Sequence, residues 1–350
     1  MTLDHATGPR HSASPVNPHP RPLGRDHSTV EAVALFSLLA LGQICFVAWL
    51  SSERDGEFFG AFELFEDAVY ASTAAGALLG VLGVYVVVRR LVFLSAALSQ
   101  IAGLGSMSAL YIASLAGGSG WVFGPRTGAL VATALLVLVI ASERNRSTRL
   151  PRDSVLGLAY LIGAAGVLVV GAKVPGESQE IITSTLFGSA VAVLPGDRES
   201  LVQVAFVLLG LHVWWWRGFV AVSVDPEGAR VRGLPTVLLE VTLLASLAIA
   251  VSATSRVLGA LPTFAYSVLP AMVAIRLAPN IALALVVAGA LGAFGAFFGY
   301  YLAFEFELPV GAAQAGLCAA LVVLVEVMRP VLSGLRYLIG SRTSAARSQP

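Results

Sequence analysis

Residues able to do chemistry are scarce in this chain, and their most informative group is one short stretch between two long apolar segments, Asp225-Pro226-Glu227-Gly228-Ala229-Arg230-Val231-Arg232-Gly233. Asp225 has the side chain of a helix N-cap, and Pro226 suits the first helical position because the N–H it lacks would be unpaired there anyway. Glu227 would sit favourably at the positive end of the helix dipole, and Gly233 is a suitable C-terminal stop. The spacing predicts about two turns of helix between long apolar segments. No nucleophile and base are paired in it. Its chemistry is recognition: Arg230 and Arg232 can meet acids on another protein, and Ala229 is small enough to enter a groove.

The other reactive side chains exclude several functions. Lys173 is the sole lysine, so no Gly-Lys-Ser/Thr string exists and the chain does not hydrolyse ATP through a P-loop. His5, His11, His19 and His27 lie near the N-terminus in polar sequence, which leaves His212 as the one histidine in an apolar segment. Placed beside Trp214, it reads as a packed residue rather than a metal ligand. Cys45 and Cys318 lie in apolar runs and read as small buried hydrophobes, with no disulfide framework or metal cluster implied. An intramembrane hydrolase would need a Ser/His pair or two Asp within spans, and neither pattern is present. Glu240 falls just inside an apolar segment, where a charge is costly and marks function by default. Glu305 and Glu307 precede Leu308-Pro309 at a segment end, where they read as solvated acids able to attract cations.

The elements that must position these groups are membrane spans. The chain has 350 residues, of which 57% are hydrophobic and 12% charged, with mean hydropathy +0.81. Soluble domains carry roughly a quarter charged residues, so this is a polytopic membrane protein surrounded by a lipid bilayer. Its near-neutral charge gives no indication of nucleic-acid binding. A span needs roughly 20 apolar residues. Ten stretches qualify, at 30–50, 68–88, 91–115, 127–142, 155–171, 201–219, 236–251, 257–277, 281–302 and 311–327. The fourth and seventh are short. Residues 181–196 are too short to span and read as a surface or re-entrant helix. With the N-terminus inside, seventeen basic residues fall on the cytoplasmic side and five (Arg54, Arg126, Lys173, Arg198 and Arg256) outside, a strong positive-inside bias. Both termini are then cytoplasmic, as is 225–233. Residues 1–28 form a disordered tail without a signal-peptide pattern, 29–338 the membrane domain and 339–350 a second cytoplasmic tail.

Four stretches resemble the permease family of metal-uptake ABC transporters. GVLGVYVVVRRLVFLSAALSQIAGLG at 80–105 is similar to the family's G-x-x-G-x-x-x-V-x-R-R-x-x-F-L-G-D-A-L-S-H-A-x-x-x-G. Leu186-Phe187-Gly188 matches its L-F-G, and 225–233 its D-x-x-x-A-x-x-x-G. LGALPTFAYSVLPAMVA at 258–274 and GYYLAFEFELPVG at 299–311 are similar to its paired motifs around the P-A-A and D-L-P elements. In order and roughly in register, they span about 68–330. Glu307 keeps a carboxylate at the Asp of D-L-P. The span 30–50 and the acidic loop after it lie outside the family's pattern.

The resemblance implies an all-α integral membrane bundle of about ten helices, of the ABC importer permease type, in the bacterial cytoplasmic membrane. It implies a homodimer that binds no cofactor itself, with ATP on a separate ATPase subunit. That subunit would dock on Asp225, Glu227, Ala229, Arg230, Arg232 and Gly233, and an extracytoplasmic substrate-binding protein would deliver a divalent metal ion. Ser99, Gln100, Glu240 and Pro270 are the residues expected along the path. The family's D-A-L-S-H places an Asp and a His four apart on one helix face, suited to a transition metal. Here those positions are Ala96 and Gln100. The alternatives are a permease of altered substrate, or a gradient-driven transporter or scaffold.

Overall fold

The computed structural model describes residues 57–116, 124–143, 151–175, 178–188, 193 and 195–347; the predicted span 30–50 and both predicted tails' ends lie outside them. Every long element among the described residues is helical. In chain order these are α1 (Glu57–Gly60), a 3-10 turn (Phe62–Leu64), α2 (Glu66–Val88), α3 (Val92–Leu115), α4 (Pro125–Glu143), α5 (Arg152–Gly171), α6 (Ser178–Phe187), α7 (Pro195–Trp214), α8 (Trp216–Val224), α9 (Pro226–Val231), α10 (Thr236–Leu258), α11 (Ala260–Leu277), α12 (Ile281–Glu305) and α13 (Val310–Arg347).

Eight of these helices are long and apolar enough to cross a membrane, and nine if α7 and α8 count as one broken span. This places nine of the ten predicted spans, and two differ from expectation. The stretch 201–219 is not a single helix: the chain bends by 73° between Trp214 and Trp216. The seventh span is not short, since α10 continues to Leu258. Its last two turns carry Ser252, Thr254, Ser255 and Arg256, which lower the apparent hydropathy although the first three are buried in the bundle.

Centre and periphery separate by burial. In α2, α3 and α11, 67% of the spanning window is inside the protein, against 22% in α4 and α13 and 28% in α5. The outer helices turn Leu135, Leu138, Leu161 and Val323 outward, each more than half exposed. An apolar surface of this extent fits hydrocarbon rather than water.

Small residues set the central contacts, as expected where lipid offers no hydrophobic drive for helix association and close approach must supply it. α2 lies against α12, with Gly76 facing Gly292 so closely that a Cβ on either would overlap the other's backbone. Gly83 takes the same relation to Ser267 of α11, and Gly105 of α3 to Gly128 of α4. At the opposite end from α9, α6 stops at Gly188 (φ 81°), whose backbone abuts that of Gly259 (φ 87°), the single residue separating α10 from α11. The predicted short helix within 181–196 is therefore α6, held to the bundle by this glycine pair. On the same side, Phe58 and Phe65 pack on Tyr301 and Tyr300 of α12, ring centroids 5.0 Å and 5.4 Å apart.

Candidate functional site

α9 is built as its residue types dictate. The Asp225 carboxylate accepts the Gly228 N–H at 2.9 Å, and Pro226 occupies the first turn. At the other end the Leu234 N–H donates to the Ala229 carbonyl (3.1 Å) and the Gly233 N–H to the Arg230 carbonyl (3.0 Å), with Gly233 at φ 78°. These paired bonds form a Schellman motif. The helix is six residues long and follows α8, with Asp225 as the single residue between them.

One expectation is corrected here. Ala229 does not face outward: it is 0% exposed and belongs to a core cluster with Val84, Tyr85, Phe219, Val222 and Leu239. A helix this short has one face to spend on its own domain, and the small residue lets the α9 backbone lie close to α8 and α10. The face left to solvent carries Glu227, Arg230, Arg232 and Val231, the last 88% exposed. Val231 carries no charge or capping signal, and its nearness to Ala229 in sequence suggests a shared face. At 100° per residue, however, two positions are more than half a turn apart.

Beneath α9, His212 (2% exposed) stacks on Phe219 with centroids 4.5 Å apart and lies 5.3 Å from the Tyr85 ring. This aromatic group fills the inside of the α7–α8 bend, and His212 is a packed residue, as expected. Glu240 forms an ion pair with Arg89, the C-cap of α2, and the two side chains are 14% and 11% exposed. The pair braces the α9 end of the bundle. Glu326 pairs with Arg276 at 3.1 Å on the same side.

The mid-bundle residues come together around α3 and α11. The hydroxyl groups of Ser95 and Ser267 hydrogen-bond to each other, both 0% exposed. One turn on, Ser99 is also 0% exposed and donates to the Ala96 carbonyl at 2.9 Å. Gln100 faces α5 at Gly163 instead, and its amide oxygen is buried with no hydrogen-bond partner among the described residues. The hydroxyls of Thr263 and Tyr266 on α11 are buried in the same condition. Pro270, buried inside α11, has no N–H, so the Tyr266 carbonyl one turn earlier loses its helical donor. These buried oxygens lie on different sides of the two helices: Ser95 and Ser267 meet where α3 packs on α11, Gln100 faces α5, and the Tyr266 ring lies toward Gly295 of α12. Ser95, Thr263, Tyr266 and Ser267 were not legible as a set, because they lie far apart in sequence and serines and threonines are common in apolar helices. Ala96, on α3 between Ser95 and Ser99, brings no ligand atom. Among the described residues no three His, Cys, Asp or Glu side chains converge as a metal site would require.

Known proteins match most of this helical chain. A family model described as the ABC 3 transport family matches residues 61–329. The chain belongs to that family. It is a divergent, multi-span transport permease. It is 23% identical over 277 residues to the manganese transport system membrane protein MntC of Listeria monocytogenes, covering 79% of this chain and 94% of that one. To the chelated iron transport system membrane protein YfeC of Yersinia pestis it is 27% identical, covering 70% of this chain and 79% of that one. In fold it is similar to PsaBC from Streptococcus pneumoniae, solved in complex with Fab. That match has a TM-score of 0.67 at 18% identity and covers 78% of this chain and 95% of that one.

Proposed function

We propose that this permease imports a divalent metal ion delivered by an extracytoplasmic binding protein, and that it is driven by a separate ATPase docked on α9. The observation that carries the reading is the construction of α9. Its inner face is locked to the core through Ala229, and its outer face offers Glu227, Arg230, Val231 and Arg232. Force applied to the outer face passes through Ala229 to Phe219 and Tyr85, at the bend between α7 and α8. ATP is bound and hydrolysed on the partner, and two copies of this chain receive the paired strokes of two ATPase subunits. The α9 end is the cytoplasmic one, consistent with the basic-residue bias, and the protein sits in the bacterial cytoplasmic membrane with both termini inside.

The buried mid-bundle side chains of α3 and α11 bring neutral oxygens only, and that supports a choice among metals. Hydroxyl, amide and carbonyl oxygens suit hard cations such as manganese, whereas zinc prefers nitrogen and sulfur. Neutral oxygens hold a dication loosely, which suits passage more than storage. The names of the relatives, which include manganese and chelated-iron systems, agree with this class.

The test is co-purification of the tagged full-length chain from its native membrane beside Val231→Glu, followed by manganese uptake in cells lacking other importers. Recovery of an ATPase by the parent and its loss in the variant, with uptake lost in parallel, are the expected results. If neither chain recovers an ATPase under conditions that preserve a known permease complex, the coupling reading fails and a gradient-driven transporter or scaffold replaces it.

A further inference from the structure

At the end of the bundle opposite α9, one carboxylate holds two arginines. Asp197, in the first turn of α7, accepts from Arg126 Nε at 3.0 Å through Oδ1 and from Arg256 Nη2 at 2.9 Å through Oδ2. Arg126 also donates from Nη2 to the Gly196 carbonyl at 2.9 Å. The Asp197 side chain is only 8% exposed, and the three residues come from α7, α4 and α10.

The triad stands between two cavities. One, of about 180 Å³, opens on the α4/α7/α10 face beside Ser200 and Ser252. The other, of about 170 Å³, runs beneath α6 to Gly103 and Ser106 of α3, one turn beyond Ser99 and Gln100. Asp197, Arg256 and Val257 line both, so the ion pair of Asp197 with Arg256 is their common wall. A wall made for packing alone would be apolar. Burying a carboxylate requires paired charges and full hydrogen bonding, and removing one partner is strongly destabilising to the closed arrangement. An ionic wall between helices also has two discrete states, made and broken, where an apolar one yields gradually.

We propose that the Arg126–Asp197–Arg256 triad is a gate: when made, it separates the α3-side cavity from the α4/α7/α10 face, and when broken, it joins the two into one passage along α3. Movement of α10 against α4 and α7 opens it. α10 is also the helix whose other end carries Glu240, paired with Arg89, and follows directly on α9. The inference rests on the permease reading for its purpose, while its test does not depend on transport.

The experiment measures reaction of single cysteines with a water-soluble maleimide in the full-length chain in lipid nanodiscs, in a Cys45→Ala/Cys318→Ala background. Ser106→Cys reports the α3-side cavity and Ser200→Cys the one on the α4/α7/α10 face. Asp197→Asn is expected to accelerate labelling at Ser106→Cys by about tenfold while leaving Ser200→Cys within about twofold. Arg126→Gln, which keeps the pair with Arg256, gives a smaller rise of the same kind and serves if Asp197→Asn does not yield monodisperse protein. Unchanged labelling at Ser106→Cys overturns the gate, and so does an equal rise at both cysteines, which would mark general loosening. Failure of ATPase recovery with this labelling result intact would remove the coupling reading and leave the gate.

Discussion

Arg89 at the end of α2 and Glu240 in the first turns of α10 form an ion pair across 151 residues of sequence, with both side chains largely withdrawn from the surface. This pair ties the helix that carries the central glycines to the helix that follows α9. A force delivered at α9 therefore meets a braced junction as well as the aromatic packing under Ala229.

Breaking that junction from one side should cost stability. Glu240→Gln leaves a mostly buried guanidinium without its counter-charge, a loss of about 3 kcal/mol for a buried pair. The melting temperature of the purified chain should fall clearly. Arg89→Met with Glu240→Leu should recover much of the loss, because removing both charges removes the penalty. Melting curves of Arg89→Met, Glu240→Leu and the double variant give the coupling directly. No recovery in the double variant would mean that the pair is not the source of the effect.

The two faces of α9 should separate in experiment. Ala229→Arg forces a long cation into a fully buried site and should destabilise the chain itself by several kcal/mol. Val231→Glu, at a site 88% exposed, should leave the melting temperature within about a degree and abolish ATPase recovery. Equal thermal effects from the two substitutions would contradict the orientation of α9.

The cap of α9 is a smaller lever. Asp225→Ala removes the acceptor of the Gly228 N–H and should loosen the helix by about 1 kcal/mol, while Asp225→Ser should retain most of it. Stimulated ATP hydrolysis by the reconstituted complex should drop for Asp225→Ala and recover for Asp225→Ser. If the serine variant behaves like alanine, the carboxylate contacts the partner and is more than a cap.

Gly259 should tolerate no side chain. Its φ of 87° and ψ of 167° fall in a region open essentially to glycine, and a Cβ there would strike the Gly188 backbone. Gly259→Ala should cost at least about 2 kcal/mol and free α6 from the bundle. Limited proteolysis between α6 and α7 should then speed up. A variant with parental melting and parental cleavage would show that the glycine contact is dispensable.

Gly76 and Gly292 make the closest approach between α2 and α12, so Gly292→Val should separate the two helices or prevent folding, at a cost above about 3 kcal/mol. Gly60, with nothing within 4 Å of its added Cβ, should accept the same change quietly. Folded yield by fluorescence-detected size exclusion compares them.

The amino-acid sequence by itself determined the class of this protein and the existence of its long helices. Stretches of roughly 20 apolar residues with 12% charge overall have no stable home except a bilayer, and that argument needs no contacts. It also determined the local form of α9, because caps, an N-terminal proline and a C-terminal glycine act within one or two turns. Only the tertiary structure decided which way α9 faces, since a helix of six residues can bury either side until α8 and α10 choose one. The same holds for the charges. Glu240, Asp197 and Arg256 each look costly alone in apolar sequence, and their partners lie 59 to 151 residues away. The bend at Trp215 was hidden because hydropathy runs on through it, whereas packing of His212 against Phe219 turns the chain. Local chemistry is written in neighbouring residues. Pairing, facing and gating depend on which distant helices meet, and here glycine and serine contacts between helices settle that.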